Sequence, residues 1–150
     1  MIISRSKTKF KLARKKSARQ NSDMRLEHCA LQVPDPAAMA DWYVKHLGCT
    51  VARSGGAPGH ARFLRAGPVL IEIYEGTSAP TPDYPALHPA LLHLAFVSEN
   101  LKADRDRLVA AGAKIVDDYF TSPAGDQLVM LRDPWGIALQ LVKREAPMLF

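Results

Sequence analysis

Four residues of this chain, His28, Glu72, His93 and Gln140, carry the donor types that a divalent cation takes from a protein: two imidazoles, one carboxylate and one amide oxygen. Such a mixed nitrogen and oxygen set suits Zn²⁺, Ni²⁺, Co²⁺, Mn²⁺ or Fe²⁺ and discriminates poorly among them. With a single anionic ligand the centre keeps a net positive charge, which weakens metal retention and strengthens attraction for an anionic intermediate. Glu72 is also a candidate catalytic base, because a carboxylate can remove a proton beside a carbonyl and return it to the neighbouring carbon. Gln140 cannot serve as a base.

What links the four is an internal duplication. Leu26-Glu27-His28-Cys29-Ala30 returns as Leu91-Leu92-His93-Leu94-Ala95, and Val69-Leu70-Ile71-Glu72-Ile73 returns as Ile137-Ala138-Leu139-Gln140-Leu141. Strand side chains alternate between faces, so Leu70, Glu72 and Tyr74 share one face and Val69, Ile71 and Ile73 the other. In the second copy Leu139 and Leu141 form the apolar face opposite Gln140, and Leu92, Leu94 and Phe96 lie opposite His93. All four polar candidates thus point away from the side that a helix would cover.

The elements that must position them repeat in order. Arg25 to Val33 reads as a strand ended by Pro34. Asp35 and Pro36 then start a helix, Asp35 as N-cap and Pro36 at the first helical position, and Gly48 closes it. Cys49 to Arg53, Ala61 to Ala66 and Val69 to Glu75 follow as strands separated by glycine-rich turns. The second half gives a strand over Leu91 to Val97, a helix over Leu101 to Ala111 stopped by Gly112, and strands over Ile115 to Tyr119, Gln127 to Arg132 and Ile137 to Lys143. The Asp133-Pro134-Trp135-Gly136 turn joins the last two.

The reading is therefore an α+β fold of two tandem β-α-β-β-β modules, 24–76 and 91–145. Between them a linker, 77–90, holds Pro80, Pro82, Pro85 and Pro89, too many prolines for regular structure. Cys29 should face opposite to His28 and pack as a small apolar side chain. Cys29 and Cys49 form no Cys-x-x-Cys pair and read as reduced thiols. Phe63, Tyr74 and Met130 read as core, and His46, His60 and His88 match nothing in the repeat.

The net charge of +5 is uneven. Eight of the basic residues lie within 1–23 against Asp23 alone, whereas 24–150 is mildly acidic. We read 1–23 as a solvated, disordered basic tail, since like charges at this density bury too little apolar surface to fold. Nucleic acid is not assigned as a partner on this basis. No window approaches the ~20 apolar residues of a membrane span and no secretory core opens the chain, so the expected compartment is cytoplasmic.

The paired modules, the histidine in each first strand and the acid or amide in each fourth strand resemble the vicinal oxygen chelate superfamily. That superfamily takes in glyoxalase I, extradiol dioxygenases and the bleomycin-resistance proteins. The resemblance covers 24–150 and rests on Leu26-Glu27-His28, Leu70-Ile71-Glu72-Ile73, Leu92-His93-Leu94-Ala95 and Asp133-Pro134-Trp135-Gly136 with the strand after it. It implies a curved sheet around a central cavity, a divalent metal on His28, Glu72, His93 and Gln140, a homodimer and a small-molecule substrate with two adjacent oxygens. The implied activity is that of a lyase or isomerase similar to lactoylglutathione lyase, working through a metal-stabilised enediolate or enolate. Two further activities exist within the resemblance: non-catalytic ligand sequestration of the bleomycin-resistance type, and non-haem iron dioxygenase chemistry. Glyoxalase I usually has a glutamate where this chain has Gln140. Gln32 and Gly76 also depart from the glutathione-binding pattern of bacterial glyoxalase I.

Overall fold

The computed structural model describes residues 24–148; the basic tail expected over 1–23 lies outside them. Eight strands and two helices follow in the expected order: β1 (His28–Gln32), α1 (Pro36–Leu47), β2 (Thr50–Ser54), β3 (Arg62–Ala66), β4 (Val69–Tyr74), β5 (Leu94–Val97), α2 (Leu101–Ala110), β6 (Lys114–Thr121), β7 (Gln127–Arg132) and β8 (Ala138–Lys143). They form two four-stranded sheets of identical topology, β1-β4-β3-β2 and β5-β8-β7-β6. The α+β class and the repeated modules agree with the sequence. The two sheets share no hydrogen-bonded strand pair, however, and no closed barrel forms. β1 and β5, the strands associated with the two histidines, are both outer edges.

The duplication extends to single hydrogen bonds. Asp35 accepts from the Ala38 amide at 3.0 Å and Asn100 from the Ala103 amide at 3.1 Å, so both helices have a side-chain N-cap. Both end at glycines in positive φ, Gly48 at 70° and Gly112 at 100°, where a Cβ would be strained. The Val33 amide donates to the Tyr74 carbonyl and the Ser98 amide to that of Val142, each at 2.9 Å, tying the exit of each first strand to the fourth. Even the irregularities match, with register shifts at Val51/Arg53 and at Ile115/Asp117.

Apolar side chains from the helix-facing sides of both modules merge into one core. Leu64, Ile71 and Ile73 meet Met39 and Tyr43, and Leu131, Leu139 and Leu141 meet Leu101 and Leu108. Two polar contacts join the halves across it: the Tyr43 hydroxyl donates to Asp133 Oδ2 at 2.8 Å, and the Trp42 indole donates to the Ala111 carbonyl at 2.9 Å. Trp42 also meets Trp135 edge-on, with ring centroids 6.4 Å apart.

The linker is pinned at two places. Gln32 donates to the Ala79 carbonyl at 2.8 Å, and a Cβ at Gly76 would stand 2.5 Å from the end of the Gln32 side chain, which would have to move to admit it. Farther on, Arg132 donates to the carbonyls of Tyr84 at 2.9 Å, Leu87 at 2.6 Å and Gly136 at 2.7 Å. Neither residue stands out in the sequence as a structural anchor, because their partners are main-chain oxygens that no side-chain pattern records.

Three expectations need correction. The fifth strand begins at Leu94 rather than Leu91, because a turn occupies the preceding residues, with the Leu91 amide donating to the His88 carbonyl at 2.9 Å. The first strand begins at His28 rather than Arg25. Cys29 is exposed rather than packed, since it sits on the outer edge strand; Cys49 is buried, and its thiol is pushed up to about 11 by desolvation.

Candidate metal and substrate site

Register fixes which side chains are neighbours on the face away from the helices. In the first module Ala30 pairs with Glu72 and Phe63 pairs with Glu72 from the other side, while His28 pairs with Leu70. In the second, Ala95 and Met130 flank Gln140 in the same way. Glu72 and Gln140 are therefore structural equivalents. His93 stands one residue before β5, at the position that matches His28 in the first copy.

His28 and Glu72 come together. His28 Nε2 lies 3.4 Å from Glu72 Oε2, and its other nitrogen, Nδ1, is held by the Glu27 carboxylate. The Glu27 hydrogen bond, aided by the charges of Glu27 and Glu72, raises the His28 pKa from its usual value. Phe63 meets the imidazole edge-on at 5.8 Å between centroids. On the other module His93 Nδ1 lies 2.9 Å from the Pro89 carbonyl oxygen, and only a protonated Nδ1 can make that bond. Both rings thus have Nδ1 engaged by an acceptor, with Nε2 of His28 turned toward Glu72, the arrangement by which an outer partner fixes the tautomer of a ligating histidine.

Among the described residues no three His, Cys, Asp or Glu side chains converge so as to hold a metal ion. His93 therefore does not complete a metal-binding cluster with His28 and Glu72 within the described residues of one chain.

The two modules also differ in how open this face is. His28 and Ala30 are exposed, as are His93 and Ala95, and Glu72 and Gln140 are both half-buried; the difference lies beside them, where Phe63 and Leu70 are half-buried and their equivalents Met130 and Ala138 are buried. The core reading holds for Met130. It does not hold for Phe63, which stands at the rim of the His28–Glu72 pair.

Residues 25–141 match the Glyoxalase/Bleomycin resistance protein/Dioxygenase superfamily. The chain belongs to that family. A curated relative, the ethylmalonyl-CoA/methylmalonyl-CoA epimerase of Cereibacter sphaeroides, is 32% identical over 99 residues, which are 61% of this chain and 74% of the epimerase. A glyoxalase family protein from Enterococcus faecalis is 27% identical in sequence, and its crystal structure superposes with a TM-score of 0.62 over 79% of this chain and 97% of that one. TnmS3, an antibiotic binding protein from Streptomyces sp. CB03234, superposes with a TM-score of 0.62 over 79% of this chain and 93% of its own, at 19% identity, a likeness of fold alone. Among the described residues no helix is long and apolar enough to cross a membrane.

Proposed function

We propose that this protein is a metal-dependent lyase or isomerase of the glyoxalase type, with each site built by two copies of the chain. His28 and Glu72 of one copy and His93 and Gln140 of the other would hold the divalent metal. The observation that carries this reading is the 3.4 Å approach of His28 Nε2 to Glu72 Oε2, with no metal-holding cluster of three His, Cys, Asp or Glu side chains among the described residues of the same chain. The exposed apolar side chains of Leu26, just before β1, of Leu91 and Leu92, in the turn before β5, and of Val97 on β5 support it.

The metal supplies a Lewis acid for a substrate bearing two adjacent oxygens. Glu72 would be the base, leaving the metal or binding it only weakly so that its carboxylate can take a proton from the carbon next to the carbonyl and return it to the neighbouring carbon on the same face. Glu27 holds the His28 ring in place and balances its charge. Inverting a single carbon, as an epimerase must, needs a second acid or base on the opposite face, and the matched position holds Gln140, which cannot transfer a proton. The four-residue set therefore favours proton transfer between adjacent carbons over the epimerisation for which the Cereibacter relative is named.

A mixing experiment separates a shared site from a one-chain site. One variant carries His28→Ala with Glu72→Ala, the other His93→Ala with Gln140→Ala. Neither alone should retain metal by elemental analysis. Unfolded, mixed and refolded together, they should regain metal in one of the two sites of each mixed dimer. No recovery, with both variants folded by circular dichroism, rejects the shared site, and metal-free wild-type protein after metal loading rejects the metalloenzyme.

A second reading, ligand sequestration without chemistry, draws on Gln140, which removes the second carboxylate. It predicts small-molecule binding that a chelator leaves unchanged.

A further inference from the structure

The arginine at one register position has different surroundings in the two modules. Arg65 pairs with Leu70, which pairs with His28; Arg132 pairs with Ala138 at the equivalent place in the second module. Arg132 is engaged by three main-chain carbonyls of the linker and the β7–β8 turn. Arg65 is exposed and, among the described residues, forms no ion pair. Next to it opens a depression of about 410 Å³ lined by Arg25, Leu26, Glu27, Arg65, Pro68 and Leu70. Arg25 and Arg65 both line it, and its one acid, Glu27, is paired with His28 through Oε2.

A second matched pair points the same way. Arg53 pairs with Phe63, and its guanidinium carbon stands 5.6 Å from the Phe63 ring centre; the residue that pairs with Met130 in the second module is Asp117. A basic side chain in one copy is thus an acid in the other. Both arginines of the first module share the face that carries His28 and Glu72, and β3 lies two strands from β1, about 10 Å across the sheet.

We propose that the depression beside β1 and β3 binds an anionic group of the substrate, carboxylate or phosphate, with Arg65 as the principal contact and Arg25 as its neighbour. This rests on His28 and Glu72 being the reacting end, and it makes the substrate a bifunctional molecule: adjacent oxygens at one end, a negative charge about 10 Å away at the other. Guanidinium forks suit such a group because they donate two parallel hydrogen bonds to its oxygens. The second module, with Arg132 occupied and Asp117 in place of an arginine, contributes no such subsite.

The test titrates chelator-treated, full-length protein with inorganic phosphate and, separately, with malonate at constant ionic strength, following backbone amides by NMR. The expected result is saturable, millimolar shifts at Glu27, Arg65 and Leu70, weakened at least tenfold in Arg65→Gln, recovered to within about threefold in Arg65→Lys, and unchanged in Lys143→Gln. Tighter phosphate identifies a phosphate ester as the natural group, and tighter malonate a carboxylate; either supports the subsite. Shifts confined to the basic residues before Asp23, or equal affinity in wild type and Arg65→Gln, overturn it. Elemental analysis of Arg65→Gln keeps this outcome separate from the metal reading, since the variant leaves every proposed ligand in place. Conversely, His93→Ala should lose metal while its phosphate shifts persist.

Discussion

The first module leaves the arginine of one register position free where the second has it occupied. At equivalent positions Arg65 is exposed and Arg132 holds three carbonyls; Phe63 is half-buried and Met130 is buried; Glu72 is a carboxylate and Gln140 an amide. Identical backbone registers therefore carry different tasks. The second module anchors the linker and completes the core, while the first presents a carboxylate, an imidazole and unpaired cations to whatever approaches. A duplicated fold allows this division, because one copy of a position can satisfy structure while the other is released from it.

The sharpest way to break that contrast is to remove both arginines in turn. Arg132→Gln strips charge-assisted hydrogen bonds from the carbonyls of Tyr84, Leu87 and Gly136. Because ionic donors are worth more than neutral ones and the carbonyls lose their partner, the expected cost is roughly 3 kcal/mol or more in urea denaturation. Arg65→Gln should change stability by no more than about 0.5 kcal/mol, as for other exposed side chains without partners. Equal losses in the two variants would dissolve the proposed difference between the modules.

Next in size is the contact that joins the halves. Asp133 is 3% exposed and accepts from the Tyr43 hydroxyl and from the amides of Trp135 and Ile137, yet burial raises its carboxyl to about 6. Desolvation thus outweighs the three hydrogen bonds. The folded protein holds this proton more tightly than the unfolded chain, whose carboxyl titrates near ~4. This group's contribution to stability is therefore complete below about pH 4 and is lost as pH rises through about 6, by up to ~3 kcal/mol. Asp133→Asn should flatten that part of the stability–pH profile between pH 4 and 7. Tyr43→Phe should instead steepen it, and cost about 1–3 kcal/mol at neutral pH, because one buried carboxylate oxygen loses its donor. A profile identical to wild type in both variants would show that Asp133 does not couple the modules.

How much of this was written in the sequence follows a simple physical divide. The succession of strands along the chain, both helices, the Asp35 cap and the two closing glycines were legible, because each depends on residues within a few positions of one another; the Asn100 cap of α2 was not singled out. The equivalence of Glu72 with Gln140 was legible from the alternation of side chains and the repeat. Interactions reaching across the chain were not. Tyr43 and Asp133 are separated by most of the molecule, Arg132 binds main-chain oxygens, and Gln32 grips a linker whose prolines say only that it is irregular. That His93 completes no metal-binding cluster with His28 and Glu72 among the described residues of one chain was equally hidden, since parity assigns a face to a residue and says nothing about how two sheets sit relative to each other. The start of β5 was misjudged for a local reason: Leu91 and Leu92 are apolar, but the turn from His88 claims them first.

The smallest expected effect is the most direct check on the symmetry beneath these differences. Asp35 and Asn100 cap α1 and α2 with bonds of 3.0 and 3.1 Å to the third residue of each helix. Replacing either by alanine leaves one first-turn amide without its partner, at about 1 kcal/mol. Asp35 brings a negative charge to the positive end of its helix and Asn100 does not, so Asp35→Ala should cost a further few tenths of a kcal/mol that salt removes. Measured at high salt, the two losses should converge. Because these caps lie on the shared framework and not on the face that diverged, convergence would place the asymmetry of the two modules in their surface side chains. A persistent gap would mean that the helices themselves have unequal weight in holding the modules together.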